Sequence, residues 1–327
     1  MSSKRGGRGG GGGRRELPRD VQVSKKLSWL LRHGAQQEKL TLGDGGYVSV
    51  ADVLRTQCIK GLRVTFDEIK TIVADNDKQR FSLIPAAAAF SGNAADSATE
   101  AIAEPEGLDS EDPSCFLIRA NQGHSIKVDS ENLLTPITAE DAPEIVIHGT
   151  TNAAWPLILK TGGLRRMGRN HIHFASGLPT GFKPVEPITK DSNEVAETES
   201  ETSPPVISGM RHSSTILIYI DITKALEAGI KFWKSDNGVI LTEGDDKGFV
   251  GYQFFKRVEA RKGSGEVLMR AGILPEGVVV DANAADDEFS GGRGKGKKRG
   301  GGGGRRGGKG RGKATVVDDS EDVWAGV

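Results

Sequence analysis

Glycine is distributed so unevenly along this chain that it decides where a fold can form. Residues 1–15 run as Arg-Gly-Gly-Arg followed by a string of glycines, and residues 290–313 are almost entirely Gly, Lys and Arg. Such stretches have no apolar side chains to set against the entropy of ordering a glycine-rich backbone, so both ends are expected to be disordered. Two internal stretches, 85–113 and 184–206, read as solvated insertions for the same reason. Within or beside them, 96–112 and 191–201 carry only acidic charges. The net charge of zero, from 44 basic and 44 acidic residues, is therefore an average over blocks of opposite sign. A hydrophobic content of 36% is low for 327 residues unless it is concentrated in part of them. The chain divides accordingly into a basic tail at 1–19, folded units at 20–135 and 136–285, and a second basic tail at 286–327 with an acidic end.

Within the first unit, Val23, Leu27, Leu30 and Leu31 recur at helical spacing and predict a helix over 20–33, with Gly34 just past its end. Asp44-Gly45-Gly46 is turn chemistry before an extended segment at 47–50. Helices are predicted at 51–58 and, opened by the capping box Thr65/Glu68, at 65–74. Strands at 80–84 and 115–119 would then form a hairpin with the first insertion at its tip. Three helices and a hairpin in this order resemble a winged-helix module. After Pro136 strands are predicted at 144–148, 171–174, 215–220, 230–233, 238–242 and 277–281, with helices at 152–161 and 222–228. The fold class is thus α+β, with the second unit dominated by strands. Only Cys58 and Cys115 occur, too few for a disulfide framework or a cysteine-based zinc site. No apolar run spans a bilayer and the N-terminus has no apolar signal core, so a soluble intracellular monomer is expected, with cytoplasm and nucleus both open.

Chemistry concentrates at the edges of these elements. Arg32-His33 closes the first helix, where the partial negative charge of a helix C-terminus favours cations, and histidine is the side chain most readily moved across neutral pH. Lys78 and Arg80 stand where a helix gives way to a strand, on the side opposite Phe81. Arg119 and Lys127 flank Gln122-Gly123-His124-Ser125. Arg165, Arg166 and Arg169 precede His171-Ile172-His173, whose histidines alternate onto one face. The planar fork of arginine matches phosphate oxygens, so several arginines around a histidine suit phosphoryl chemistry. Taken singly, each arginine reads as a surface charge. Lys25, Lys78, Arg119, His124 and Lys127 are candidates for contact with nucleic-acid phosphates, which the basic tails would also attract. His148-Gly149-Thr150 at a strand end offers donors, acceptors and close backbone approach to a ribose or amide. No carboxylate or cysteine lies at ligand spacing to His171 and His173, so no metal is expected. Neither a Walker loop nor a Gly-x-Gly-x-x-Gly fingerprint occurs.

Six segments taken together, in order, resemble the NAD-dependent tRNA 2'-phosphotransferases: 24–33, 77–81, Gln122-Gly123-His124-Ser125, His148-Gly149-Thr150, 169–173 and Ser208-Gly209-Met210-Arg211. The resemblance covers about 20–282 apart from the two insertions. It implies a winged-helix-like RNA lobe joined to an ADP-ribosyltransferase-like lobe that binds NAD+, with the active site between them. The implied activity removes the 2'-phosphate left at the splice junction of ligated tRNA. That phosphate attacks C1'' of NAD+ and expels nicotinamide. The ribose O2'' then attacks phosphorus, releasing RNA with a 2'-hydroxyl and ADP-ribose 1'',2''-cyclic phosphate. The family's catalytic set falls on Arg32, His33, Arg80 and Arg169. His148, Gly149, Thr150, His171, His173 and Arg211 are the implied contacts to the ADP-ribose part of NAD+. The toxin-like relatives of such a lobe use a glutamate on a later strand, whereas 238–242 here is apolar, as suits an acceptor that is already an anion. Two other readings share these residues: a noncatalytic RNA-binding protein, and an ADP-ribosyltransferase acting on nucleic-acid terminal phosphates.

Overall fold

The computed structural model describes residues 17–90, 111–128, 132–178, 209–211, 213–261 and 266–281. The expected insertion at 184–206 and nearly all of both expected tails lie outside the described residues. What is described mixes helix and sheet, as an α+β chain should, around two large hydrophobic cores.

The first core forms because α1 (Arg19–Trp29) buries Val23 and Leu27 on one face. Instead of stopping at Gly34, the helix widens into a π-helical turn over Leu30–Gly34, which sinks Leu30, Leu31 and Arg32 together. Gly34 is not a left-handed stop. Helical backbone continues through Ala35, which is buried at helical spacing from Leu31, and the positive φ falls at Lys39. β1 (Val48–Ser49) leads into α2 (Val50–Arg55) and α3 (Gln57–Lys60). The single helix expected at 51–58 is broken at Thr56, whose extended backbone and hydroxyl bond to the Val53 carbonyl (2.7 Å) end one turn and start the next. α4 (Phe66–Ala74) begins at the expected capping box, with both reciprocal bonds of Thr65 and Glu68 made. β2 (Phe81–Pro85), the short α5 (Ala86–Phe90) and β3 (Phe116–Ala120) follow. β2 and β3 pair antiparallel with Phe81 opposite Ala120, and β1 adds to the other edge of β3. The ends of the expected insertion at 85–113 are thus structured: α5 occupies 86–90 and a turn capped by Asp112 occupies 113–115.

The second core is sheet on sheet. Its strands and helices are β4 (Thr135–Ile137), β5 (Ile147–Thr150), α6 (Trp155–Thr161), β6 (Gly163–Arg165), β7 (Ile172–Phe174), β8 (Ile216–Ile220) and α7 (Ile222–Glu227). They are followed by β9 (Phe232–Lys234), β10 (Ile240–Thr242), β11 (Phe249–Gly251), β12 (Phe255–Ala260) and β13 (Val267–Arg270). One sheet has the order β4-β9-β10-β7 and another β13-β12-β8-β5, with β6 and β11 forming a separate two-stranded ribbon. Phe174, Phe232, Ile240, Ile218 and Val258 fill the space between the larger sheets. The strand expected at 277–281 is absent: Gly277 turns at φ +81°, the Val278 amide bonds back to the Pro275 carbonyl, and the Asp281 amide bonds the Lys160 carbonyl. No helix among the described residues is long and apolar enough to cross a membrane.

Candidate active site at the seam between the cores

The Arg32-His33 pair is gripped by the loop that follows β3. The Arg32 carbonyl accepts from the amides of Ser125 (3.0 Å) and Ile126 (3.4 Å), and His33 Nδ1 lies 2.8 Å from Ser125 Oγ. Gly123, at φ +88°, lets that loop turn so tightly that a Cβ there would meet the Arg32 guanidinium at 3.5 Å. Arg80 stands at the other end of the same loop: its carbonyl accepts from the Asn121 amide (2.9 Å), and its Nη1 donates to Asn76 Oδ1 (3.3 Å). Asn121 also bonds the carbonyl of Gln79, which adopts φ +42°, so the entry to β2 is braced against the same loop.

Arg169 comes from the second core. The next residue, Asn170, donates its amide to the His124 carbonyl (2.9 Å) and its side chain to the Ile126 carbonyl (2.8 Å). These two bonds join 169–171 to the very loop that holds Arg32 and His33.

Four histidines gather around this junction in neutral form. Burial first, then the charges of Arg32 and Arg119, push His124 down to about 3. Burial likewise lowers His173, helped by the charges of Arg169 and Arg32, so both arginines act on one imidazole from opposite sides of the seam. His171 and His148 are also lowered, by burial first, with Arg166 and Arg211 respectively adding to it. Their order is set by the backbone: His173 Nδ1 bonds the His171 carbonyl (3.0 Å) and His148 Nδ1 bonds the His173 carbonyl (2.9 Å). A carbonyl only accepts, so each Nδ1 carries the proton and each Nε2 presents a lone pair. The Nε2 of His173, buried, has no hydrogen-bond partner among the described residues.

The described part of the motif at 208–211, residues 209–211, lands on His148-Gly149-Thr150. A Cβ at Gly149 would lie 2.3 Å from Met210 Cγ and 2.5 Å from Ser214 Oγ, so glycine is what allows Met210 to cross β5. Gly209, at φ +107°, in turn packs on the Phe174 carbonyl. Arg211 is exposed and close enough for its charge to act on His148.

The remaining candidates separate. The Arg119 guanidinium, 7% exposed, donates to Asp236 and to the carbonyls of Gly45 (3.3 Å) and Asn132 (3.2 Å), and stacks 4.6 Å from the Tyr47 ring centre. It spans the seam, because Asp236 belongs to the β9–β10 turn. The neighbouring Asn237 side chain bonds the carbonyl of Lys78 (3.0 Å), so that lysine too sits at the seam. Lys25 is half-buried on α1 and Lys127 exposed just beyond Ile126. Among the described residues no group of three or more His, Cys, Asp or Glu side chains could hold a metal ion. Sequence reasoning missed Asn170 as a tether and Asp236 as a partner. It also missed Lys247, which lines an open cavity of about 300 Å³ with Arg165, Arg166, Met167, Arg169 and Asn170. A Gly-Asp-Asp-Lys-Gly turn between two strands was the available signal for Lys247.

Arginines and neutral histidines converging from two cores on one seam define a class of protein that handles phosphate groups. Comparison with known proteins places the chain within it. Residues 18–244 match the model of the RNA 2'-phosphotransferase, Tpt1 / KptA family. A tRNA 2'-phosphotransferase 1 of Danio rerio is 37% identical over 78% of this chain and 92% of its own length. One from Homo sapiens is 35% identical over 79% and 83%, and a probable RNA 2'-phosphotransferase of Trichormus variabilis is 30% identical over 70% and 93%. The chain belongs to the RNA 2'-phosphotransferase family.

Proposed function

We propose that this protein removes the splice-junction 2'-phosphate from ligated tRNA and transfers it to NAD+, which is consumed as the second substrate. The reaction passes through an ADP-ribosylated RNA 2'-phosphate. It yields RNA with a 2'-hydroxyl, ADP-ribose 1'',2''-cyclic phosphate and nicotinamide. The observation that supports this reading is the pair of bonds from Asn170, the neighbour of Arg169, to the loop that also bonds Arg32 and His33. Residues 20–135 read as a winged-helix-like RNA lobe and 136–285 as an ADP-ribosyltransferase-like lobe.

The residues around β5 fit an ADP-ribose group. Thr150 offers a hydroxyl, His173 a buried acceptor, and Arg211 a cation for a diphosphate. NAD+ supplies an electrophilic C1'' with nicotinamide as leaving group. The attacking 2'-phosphate is already an anion, so for this step the protein's task is to hold it in line, and no base is needed. Arg80, Arg169 and Arg32 do so. In the second step charge builds on phosphorus, where each preorganised donor is worth roughly 10²–10³ in rate. His33, oriented by Ser125, carries the proton to the departing RNA 2'-oxygen, a role worth about 10²–10⁴. Incubation with NAD+ and an RNA bearing an internal 2'-phosphate tests the reading, with nicotinamide release and the RNA product followed together. His33→Ala and Arg80→Ala should accumulate ADP-ribosylated RNA in single-turnover runs. Absence of nicotinamide release from the wild type would overturn the activity, and a second step of wild-type speed in the variants would overturn the roles.

A further inference from the structure

The open cavity on the β6–β11 ribbon is not used by the chemistry above, except where Arg169 forms one wall. Its cations are placed by the ribbon and are not loose surface charges. Leu164 and Val250, buried opposite each other, anchor the two strands in the core. Arg165, opposite Phe249 in the ladder, lays its guanidinium 5.2 Å from that ring's centre. Arg166 is held against the turn: its amide bonds the Gly248 carbonyl (3.3 Å), and a Cβ at Gly248, where φ is +80°, would lie 2.9 Å from its Nε. Lys247 projects from the same turn. The nearby carboxylates are Glu243, Asp245 and Asp246. Glu243 lies 3.8 Å from His171, and Asp245 accepts from the amides of Lys247 and Phe249 (2.9 Å each), which shapes the turn.

We propose that this cavity is a subsite for the phosphodiester backbone flanking the 2'-phosphate of the RNA, with Arg165, Arg166 and Lys247 as its cations. The inference rests on the function proposed above and adds a second RNA contact, contributed by the NAD-binding half. A splice junction carries its 2'-phosphate on a ribose with phosphodiesters on both sides. Any protein that draws the 2'-phosphate to Arg169 therefore brings backbone phosphates to the rim beside it. The cavity is that rim: it is open, Arg166 and Lys247 are exposed and Arg165 half-buried, and Met167, 68% exposed, offers apolar surface suited to a nucleoside. The diphosphate of NAD+ is a poorer occupant, since the residues that fit ADP-ribose converge on β5.

The test is the full chain carrying Arg165→Gln, Arg166→Gln and Lys247→Gln, compared with wild type on two substrates. One is an oligonucleotide with several nucleotides on each side of an internal 2'-phosphate, and the other a dinucleotide bearing the 2'-phosphate alone. The kcat/KM advantage of the long RNA should fall by about tenfold or more. Without NAD+, the dependence of log K for the long RNA on log salt should become shallower by about two, as loss of three phosphate contacts to a single strand requires. Arg165→Lys with Arg166→Lys should restore most of that slope, because point charges still serve a phosphate. An equal fall on the dinucleotide, a raised KM for NAD+, or an unchanged salt slope would overturn the proposal. Wild type that releases no nicotinamide with either RNA would instead sink the proposed function, while the salt slope would still decide the subsite. Thermal melting of the variant guards against misfolding, and the lysine pair decides the matter if the glutamine variant unfolds.

Discussion

At the scale of single residues, the site is governed by which histidines are kept neutral. His124 is 4% exposed and faces positive charge from Arg32 and Arg119, so protonating it in the fold is costly. Its folded pKa, about 3, lies below the usual 6.5 of the unfolded chain. Stability from keeping it neutral is therefore complete above pH 6.5 and is lost as the pH falls towards 3, at about 1.4 kcal/mol per pH unit. His148, His171 and His173 act in the same direction. The midpoint of urea unfolding should accordingly drop steeply between pH 6.5 and 4, and His124→Gln should make that drop shallower; identical slopes would show that His124 is not the neutral buried group described here. The histidines were legible in the sequence as a set, because His171 and His173 alternate on a strand. Their charge state was not, since it depends on burial and on arginines from other elements, such as Arg32 acting on His173.

Elements explain how Arg32 and His33 are held. The π turn at Leu30–Gly34 exists because Leu30, Leu31 and Arg32 are all buried, and Gly34 closes it against the ring of Trp29. A Cβ at Gly34 would lie 2.6 Å from that ring, so Gly34→Ala must displace it at a cost of about 1–3 kcal/mol, the range for overpacking. The expected outcome is a lowered melting temperature together with a reduced kcat, both partly recovered when Trp29→Leu is added; a variant matching wild type in both measurements would refute the packing argument. Periodicity located α1 together with its π turn, α4, β2, β3 and β8 to within a residue or two, since each shows one clean apolar face or run. It missed β12, where Lys256, Arg257 and Glu259 break the apolar pattern. There Glu259, 1% exposed, is buried beside Arg257 and accepts a hydrogen bond from Tyr219, so polar side chains fill a strand position that pattern reading reserves for apolar ones. β4, β6, β11 and β13 were missed as well.

For the whole molecule, the relation between the two cores is the functional variable, and Arg119–Asp236 is the strut that spans it. The partners are 117 residues apart. Asp236 is half-exposed but Arg119 is buried, so Asp236→Ala leaves a guanidinium with its charge uncompensated, at a cost of about 1–3 kcal/mol. Its chemical-denaturation midpoint should fall and kcat/KM should fall with it, because Arg169 and Arg32 lose their common frame. A double-mutant cycle with Arg119→Met should return a coupling energy well above 0.5 kcal/mol, and strict additivity would show that the strut carries nothing. From sequence Arg119 read as a phosphate contact, as any cation beside a glycine loop would, while Asp236 in its polar turn carried no signal at all. What the sequence determined alone is local: where glycine and polar composition forbid a core, which segments are helix or strand, and which motifs, in their order, belong to the family. The tertiary structure alone decided which cations face the seam, which one is held by a carboxylate, and which imidazoles stay neutral. The reason is physical: periodicity reports the face a side chain takes on its own element, whereas ion pairing, burial and proton affinity depend on distances between elements far apart in the chain.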